Sequence, residues 1–443
     1  MPRAHYFALI SLTLTACPPG DGSDADATTT SGGVDDSGAT IPTGGEDPGQ
    51  NPFYRGLLSG TTVDSVYARV RVGHLDLPDA DGCCTDYVLA GPAQNHVKVL
   101  FGAPARGLLF LSDAPDQTFE MGPANVGIED VVVIDIDEDG NEDIVVLRSD
   151  GVVGIRHGLG VTAPSPVLSD TLFETNMTVS GVPASRSLAV ADLDCDGKKD
   201  LVAVSPMNDR VILAFAAPGG TFLPPLQKST GLGSPRQVVV GDLNGDDEFD
   251  IITGNGDGSA SVLLNECFGE FAGVANYPLF SEPFATPDMQ VAVGRVCIGE
   301  TSGDWPAIAL GHGQRVHILC GNGQGTYDAI DEEPSPLFGT ALDYLMDSNP
   351  KAPLPSAKIF QLQYWESTMS LHVLWSDSPF EIARFVASQD PVFQGGVPVA
   401  NLGGRSPGHA FSMHQAAIAD DPNWSRIVVI VDTPGATDVS FAR

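Results

Sequence analysis

The sequence predicts an all-β protein, a β-propeller of seven four-stranded blades, and three observations predict it. The chain of 443 residues carries 50 Gly and 34 Pro beside 42% hydrophobic residues, a balance that favours many short strands joined by turns. No window sustains apolar residues at i, i+3, i+4 and i+7, the spacing an amphipathic helix requires. One unit of strand, acidic loop and strand recurs at a period of several tens of residues, as the units of a radial array do.

The elements follow in chain order. Residues 1–16 read as a secretory signal, with Arg3 ahead of an apolar run from Phe7 to Leu14 that is too short for a permanent membrane span. Leu14-Thr15-Ala16-Cys17 resembles the bacterial lipobox, and the resemblance implies that Cys17 becomes the lipidated first residue of the mature chain. The expected location is therefore the cell envelope, at the outer membrane or cell surface, with the lipid as the sole membrane contact. Residues 17–52 are Gly, Ser, Thr, Asp and Pro with almost no large apolar side chains. They cannot bury enough surface to offset the entropy of ordering, so a flexible tether is expected.

The propeller is expected over residues 53–443. Three segments align without gaps: VVVIDIDEDGNEDIVVL from Val131, LAVADLDCDGKKDLVAV from Leu188 and VVVGDLNGDDEFDIITG from Val238. A looser copy, VRVGHLDLPDADGCCTDYVLA from Val70, carries insertions in its loop. With the first loop acids set at Asp76, Asp135, Asp192 and Asp242, the steps are 59, 57 and 50 residues. Three further units without the acids, beginning near Gln290, Lys358 and His414, bring the count to seven. The last unit ends after three strands. The segment from Phe53 to about Gly60 resembles an outer strand without a unit of its own, so it is expected to complete the last blade and cover its edge.

These features resemble the FG-GAP/VCBS repeat family, related to the propeller of integrin α-subunits. VLFGAP (Val99–Pro104) and GNGQGTY (Gly321–Tyr327) are two further fragments of that pattern. Calcium takes six to eight hard oxygen ligands, and oxygens at alternate positions of a tight loop can converge on one ion. Asp135, Asp137, Asp139 and Asp143 offer that arrangement, Asp192, Asp194, Asp196 and Asp200 repeat it, and Asp242, Asn244, Asp246 and Asp250 come close. The resemblance implies that Asn141, Lys198 and Glu248, at position seven, contribute backbone carbonyls alone. Gly140 and Gly197 at position six permit the sharp turn, whereas the third loop has Gly245 at four and Asp247 at six. Three Ca2+ ions are expected, and Asp76, Asp79, Asp81 and Asp86 would make a fourth site. An EF-hand is excluded because position twelve is Val146, Ala203 or Thr253 rather than Glu, inside strand-like runs.

Six cysteines follow Cys17, and the repeat frame suggests one bridge, Cys297 with Cys320, where the fifth unit lacks its acids. Acidic residues outnumber basic ones 57 to 22, for a net charge of −35, which excludes nucleic acid as a partner. No catalytic set converges. GRSPG (Gly404–Gly408) matches GxSxG formally, but Pro407 has no N–H for an oxyanion hole. His312 and His317 lack a zinc spacing, and the four Trp residues are expected to pack between blades. The expected function is a non-enzymatic binding or adhesion scaffold for a protein or carbohydrate ligand. A propeller enzyme acting on polysaccharide, as lyase or hydrolase, and a purely structural envelope protein are the alternatives.

Overall fold

A computed structural model gives the fold. It describes residues 57–442 apart from 64, 77–84, 103–114, 182–186, 232, 279–288, 296–304, 313–314, 328–341, 346–357, 366–369, 377–379, 387–396, 402–409, 419–420 and 434–435. The signal segment, Cys17 and the tether lie outside the described residues, as do Asp79, Asp81, Cys83, Cys84, Cys297 and Ser406.

The described residues form seven four-stranded antiparallel sheets and one short 3-10 turn. Strand β1 (Leu57–Val63) comes first in the chain and is taken up by the last sheet. The first sheet holds β2 (Arg69–Gly73), β3 (Asp86–Ala90), β4 (His96–Leu100) and β5 (Gln117–Glu120). The second holds β6 (Ile128–Ile134), β7 (Asp143–Arg148), β8 (Val152–Arg156) and β9 (Phe173–Thr178). In the third, β10 (Leu188–Ala191), β11 (Asp200–Ser205) and β12 (Arg210–Ala214) are followed by a small hairpin, β13 (Ala216–Ala217) with β14 (Thr221–Phe222), and then by β15 (Leu226–Ser229). The fourth comprises β16 (Pro235–Gly241), β17 (Asp250–Asn255), β18 (Ser259–Leu263) and β19 (Ala275–Pro278). The fifth comprises β20 (Gln290–Gly294), β21 (Ala307–His312), β22 (Arg315–Leu319) and β23 (Leu342–Leu345). The sixth comprises β24 (Lys358–Trp365), β25 (Ser370–Ser376), β26 (Phe380–Val386) and β27 (Val397–Asn401). The seventh runs β28 (Ala410–Ile418), β29 (Asp421–Thr433), β30 (Ala436–Ala442), and β1 pairs antiparallel along β30 as its fourth strand.

Each sheet is a meander, and its first strand neighbours the first strand of the next; β28 also lies against β2. The arrangement is propeller-like, and it explains the unbroken apolar runs of the sequence. Every residue of β7 and β11 is buried, because both faces of an interior sheet are covered. Successive side chains alternate between the two faces. Val131, Val133, Ile144 and Val146 therefore pack toward Val88 and Val97 of the first sheet. Val132, Ile134, Val145 and Leu147 pack toward Leu188, Val190 and Leu201 of the third. Similar layers join the third sheet to the fourth and the fourth to the fifth. Buried Asp130 ties three sheets together: its Oδ1 accepts from Arg71 Nη2 at 2.9 Å and its Oδ2 from the Leu188 N–H at 3.2 Å.

Register corrects one part of the sequence alignment. Gly73 pairs with Asp86 as Ile134 pairs with Asp143, so His74, not Asp76, stands level with Asp135. Asp76 occupies the level of Asp137, and the insertions of this loop follow it. The first-strand and second-strand ends, which fix the frame, are the parts that a gapped loop alignment leaves undetermined.

Candidate metal centres

Four aspartates, Asp86, Asp143, Asp200 and Asp250, open the second strands of the first four sheets, and all are 0% exposed. One carboxylate oxygen of each, Oδ2, accepts the N–H of a residue just beyond the first strand: Leu75 at 2.9 Å, Ile136 at 2.8 Å, Leu193 at 2.8 Å and Leu243 at 2.8 Å. The other oxygen, Oδ1, accepts an N–H from just beyond the third strand: Gly102 at 3.1 Å, Gly158 at 2.7 Å, Ala216 at 2.7 Å and Asn265 at 2.8 Å. A single side chain thus fastens the ends of three strands. Burial pushes the carboxyls of Asp86, Asp200 and Asp250 up to about 7 and that of Asp143 up to about 6, against the lowering effect of those N–H bonds.

Ahead of this residue, three of the loops share one turn geometry. Positions one, three and five each turn an oxygen onto a later backbone N–H, in the manner of Asx turns. In the first acidic loop Asp135 accepts from Asp139 at 3.1 Å and Gly140 at 3.0 Å, Asp137 from Asp139 at 3.3 Å, and Asp139 from Asn141 at 2.8 Å. In the second, Asp192 accepts from Gly197 at 2.9 Å, Asp194 from Asp196 at 3.2 Å and Asp196 from Lys198 at 2.9 Å. In the third, Asp242 accepts from Gly245 at 2.6 Å and Asp247 at 3.2 Å, Asn244 from Asp246 at 3.1 Å and Asp246 from Glu248 at 3.0 Å.

Positions four and six are left-handed in all three loops: Glu138 and Gly140 at φ 62° and 92°, Cys195 and Gly197 at 63° and 89°, Gly245 and Asp247 at 80° and 69°. The third loop therefore departs in residue type and keeps the backbone. Its glycine sits at position four because Trp305, from the next sheet, packs there; a Cβ on Gly245 would lie 2.4 Å from Trp305 Cζ3. The expectation that Trp305 packs between units is met. The side chains of Trp365, Trp375 and Trp424 lie outside the described residues. His317 is buried within β22, and no side chain of His312 is described.

The donor chemistry suits a hard divalent cation. Single oxygens of Asp135, Asp137 and Asp139 lie within 4.8 Å of one another, as do those of Asp192, Asp194 and Asp200. Asp192 Oδ1 is buried without a hydrogen-bond partner, an orphaned carboxylate oxygen facing a crowd of like charges. Burial and the nearby Asp196 raise the Asp194 carboxyl, and burial with Asp246 raises Glu248. Lys198 turns its ammonium outward to pair with Asp196, whose carboxyl it holds down, so the position-seven side chain takes no place among the convergent oxygens. The looser loop offers Asp76 and Asp86, with His74 where the others have a carboxylate; Asp79 and Asp81 lie outside the described residues.

Neighbouring loops touch. Glu142, at position eight of the first acidic loop, accepts the His74 N–H at 2.5 Å, and Lys199, at position eight of the second, reaches the Asp135 carbonyl at 2.5 Å. A disulfide that the sequence frame did not reveal joins Cys195, position four of the second loop, to Cys267, which follows the third strand of the next sheet. Phe268, 86% exposed, lies beside it and donates its N–H to the Asp194 carbonyl at 3.1 Å. Cys320 is disulfide-bonded as well, with a partner outside the described residues, where Cys297 also lies.

Fold and loops together define a propeller-like repeat protein with acidic turns along one set of strand connections. Residues 192–253, from the first acid of the second loop to the second strand after the third, match the family model described as an FG-GAP-like repeat. The similarity to an FG-GAP-like repeat is thus shown for that segment, two acidic loops and the strands between them. No curated protein sequence matches it. Among solved structures, Raptor from Chaetomium thermophilum superposes with a TM-score of 0.52 at 11% identity, covering 88% of this chain and 28% of that one. BBS1N, in its complex with ARL6DN soaked with lead, superposes with a TM-score of 0.50 at 14% identity, covering 85% and 92%. At such identities the likeness concerns the fold. Among the described residues, no helix is long and apolar enough to cross a membrane.

Proposed function

We propose that this protein is an exported, lipid-anchored binding scaffold, not an enzyme, whose acidic loops hold divalent cations, with Ca2+ the ion that oxygen donors suit. The observation that supports it best is the crowding of carboxylates at loop positions where their turn hydrogen bonds do not demand them, with Asp192 Oδ1 left buried and unpartnered. Asp135, Asp137, Asp139, Asp143 and the Asn141 carbonyl would hold one ion; Asp192, Asp194, Asp196, Asp200 and the Lys198 carbonyl a second; Asp242, Asn244, Asp246, Asp250 and the Glu248 carbonyl a third. Bound there, the ion supplies positive charge that fastens each loop to its sheet and fixes the surface formed by the loops. The chain's own contribution is rigidity: the buried ninth-position aspartates and the Cys195–Cys267 bridge hold neighbouring loops in register. Such a face suits a protein or carbohydrate ligand, and residues 1–17 support delivery to the cell envelope.

A calorimetric Ca2+ titration of the chelated full chain, with thermal melts in parallel, tests the cation reading. Two or more saturable sites and a higher melting temperature in Ca2+ are expected, since binding to the folded state alone stabilises it by mass action. Absence of both would overturn it. Retention of labelled protein by envelope glycans or envelope proteins, in Ca2+ but not in chelator, is the expected sign of the scaffold role; shortening of a polysaccharide on incubation would speak for an enzyme instead.

A further inference from the structure

The four stapled loops differ at one telling place. The residue just before the N–H that Oδ1 of the ninth-position aspartate accepts is Phe101 in the first sheet, Phe215 in the third and Leu264 in the fourth. All three belong to, or pack against, the apolar layers between sheets. In the second sheet the same position is His157, directly before Gly158. Its imidazole turns into the first acidic loop, with Nδ1 3.1 Å from Asp137 Oδ2 and 3.5 Å from Asp143 Oδ1. That nitrogen is buried and makes no hydrogen bond of acceptable geometry, and the three donor atoms lie within 4.8 Å of one another.

We propose that the first acidic loop is a mixed nitrogen–oxygen site for a divalent transition-metal ion, with His157 Nδ1, Asp137 and Asp143 as ligands, whereas the second and third loops remain oxygen-only. Donors about 2.1 Å from one ion stand about 3.0–3.4 Å apart for angles between octahedral and tetrahedral; the 3.1 Å separation falls inside that range and the 3.5 Å one just beyond it, so a small inward shift of the ring or of Asp143 completes the set. Imidazole is a poor partner for Ca2+ and a good one for Zn2+ and its transition-metal neighbours, while Mn2+ shares the taste for carboxylate oxygens and serves as the spectroscopic probe. Ligation through Nδ1 leaves the ring proton on Nε2, on a side chain that is 28% exposed. Asp143 meanwhile keeps its staple bonds to Ile136 and Gly158, so the metal would sit on an oxygen already fixed in place. This inference rests on the proposed reading of the loops as cation sites and refines which ion the first of them takes.

The test uses the full chain, stripped with chelator and reloaded with Mn2+, with Ca2+ titrations beside it. Electron spin-echo spectroscopy of the Mn2+-loaded protein is expected to show coupling to one directly bound imidazole nitrogen. His157→Phe, which installs the residue type found at two of the equivalent positions, is expected to abolish that coupling and lower Mn2+ affinity at least tenfold. Ca2+ uptake by the other two loops should be unchanged. His157→Gln, of closer size and polarity, should behave as His157→Phe does, which guards against a packing defect. The inference is overturned if nitrogen coupling is absent in the parent or persists in both variants. Loss of Ca2+ uptake in parent and variants alike, with the nitrogen coupling intact in the parent, would sink the calcium reading and leave the His157 site standing.

Discussion

Removing the Asp200 carboxylate should destabilise the protein even when no divalent cation is available. In Asp200→Ala the N–H groups of Leu193 and Ala216, held at 2.8 and 2.7 Å, lose their acceptor. Leu193 is fully buried and Ala216 half-buried, at the ends of two strands of one sheet. Leaving a buried donor unsatisfied costs about 1–3 kcal/mol, so the pair sums to about 2–6 kcal/mol. Relief of a buried charge offsets part of this at pH 8, where the carboxyl, raised to about 7, is ionised, and the net falls in the lower half of that range. Asp196→Ala is the control. Its carboxylate is exposed, accepts the Lys198 N–H at 2.9 Å and pairs with the same residue's ammonium in solvent, where such a pair adds little to stability. Urea unfolding in chelator, followed by far-UV circular dichroism, gives both free energies. If Asp200→Ala unfolds at the same urea concentration as Asp196→Ala, the ninth-position aspartate is no staple and its burial has another cause.

Three further outcomes are expected. Asp192→Asn should be nearly neutral in chelator, because an amide oxygen can still accept the Gly197 N–H, yet should lose one Ca2+ site by calorimetry; unchanged Ca2+ stoichiometry would count against the second loop. In chelator, thermal stability should fall as pH rises from about 4 to 8. Asp86, Asp143, Asp200 and Asp250 have folded pKa values of about 6 to 7, above the ordinary 3.8, so the folded state holds protons that the unfolded chain releases across that window. Ca2+ should flatten or reverse the trend, and a chelated protein that melts higher at pH 8 than at pH 5 would contradict it. The double variant Cys195→Ser, Cys267→Ser should lose about 4 kcal/mol, the loop entropy of a 72-residue separation, read as a lower urea midpoint relative to the oxidised parent.

The strand and loop pattern was legible in the middle of the sequence because sheets covered on both faces demand unbroken apolar runs. Val131 to Ile134 and Ile144 to Leu147 show it without any knowledge of their partners. What escaped depends on which sheet lies beside which. The Cys195–Cys267 bridge joins the loop of one sheet to the far turn of the next, and no local spacing encodes that meeting. Gly245 stands at position four because Trp305 arrives from another sheet, so its signal lay about sixty residues downstream. His157 lies outside the nine-residue loop it faces. Its signal was the contrast with Phe101, Phe215 and Leu264 at the corresponding turns, visible only when third strands are aligned as well as first and second ones. The misplacement of Asp76 by two positions arose from anchoring an interrupted loop on its acids instead of on the strand pairing.

The geometry also separates two roles that the acidic motif merges. A residue at position nine must accept from two donors arriving from opposite sides, Ile136 and Gly158 in the first acidic loop. An amide offers one acceptor and would turn its own N–H toward the other donor, so a carboxyl belongs there whether or not an ion is bound. Asp143 and its counterparts are therefore weak witnesses for a metal. Positions one, three and five make turns that Asn can make equally well, as Asn244 does at position three of the third loop. Six aspartates nonetheless fill those positions in the first two loops, where each added carboxylate raises the repulsion within a turn of nine residues. Those six, and not the buried ninth, are the side chains on which the cation reading depends.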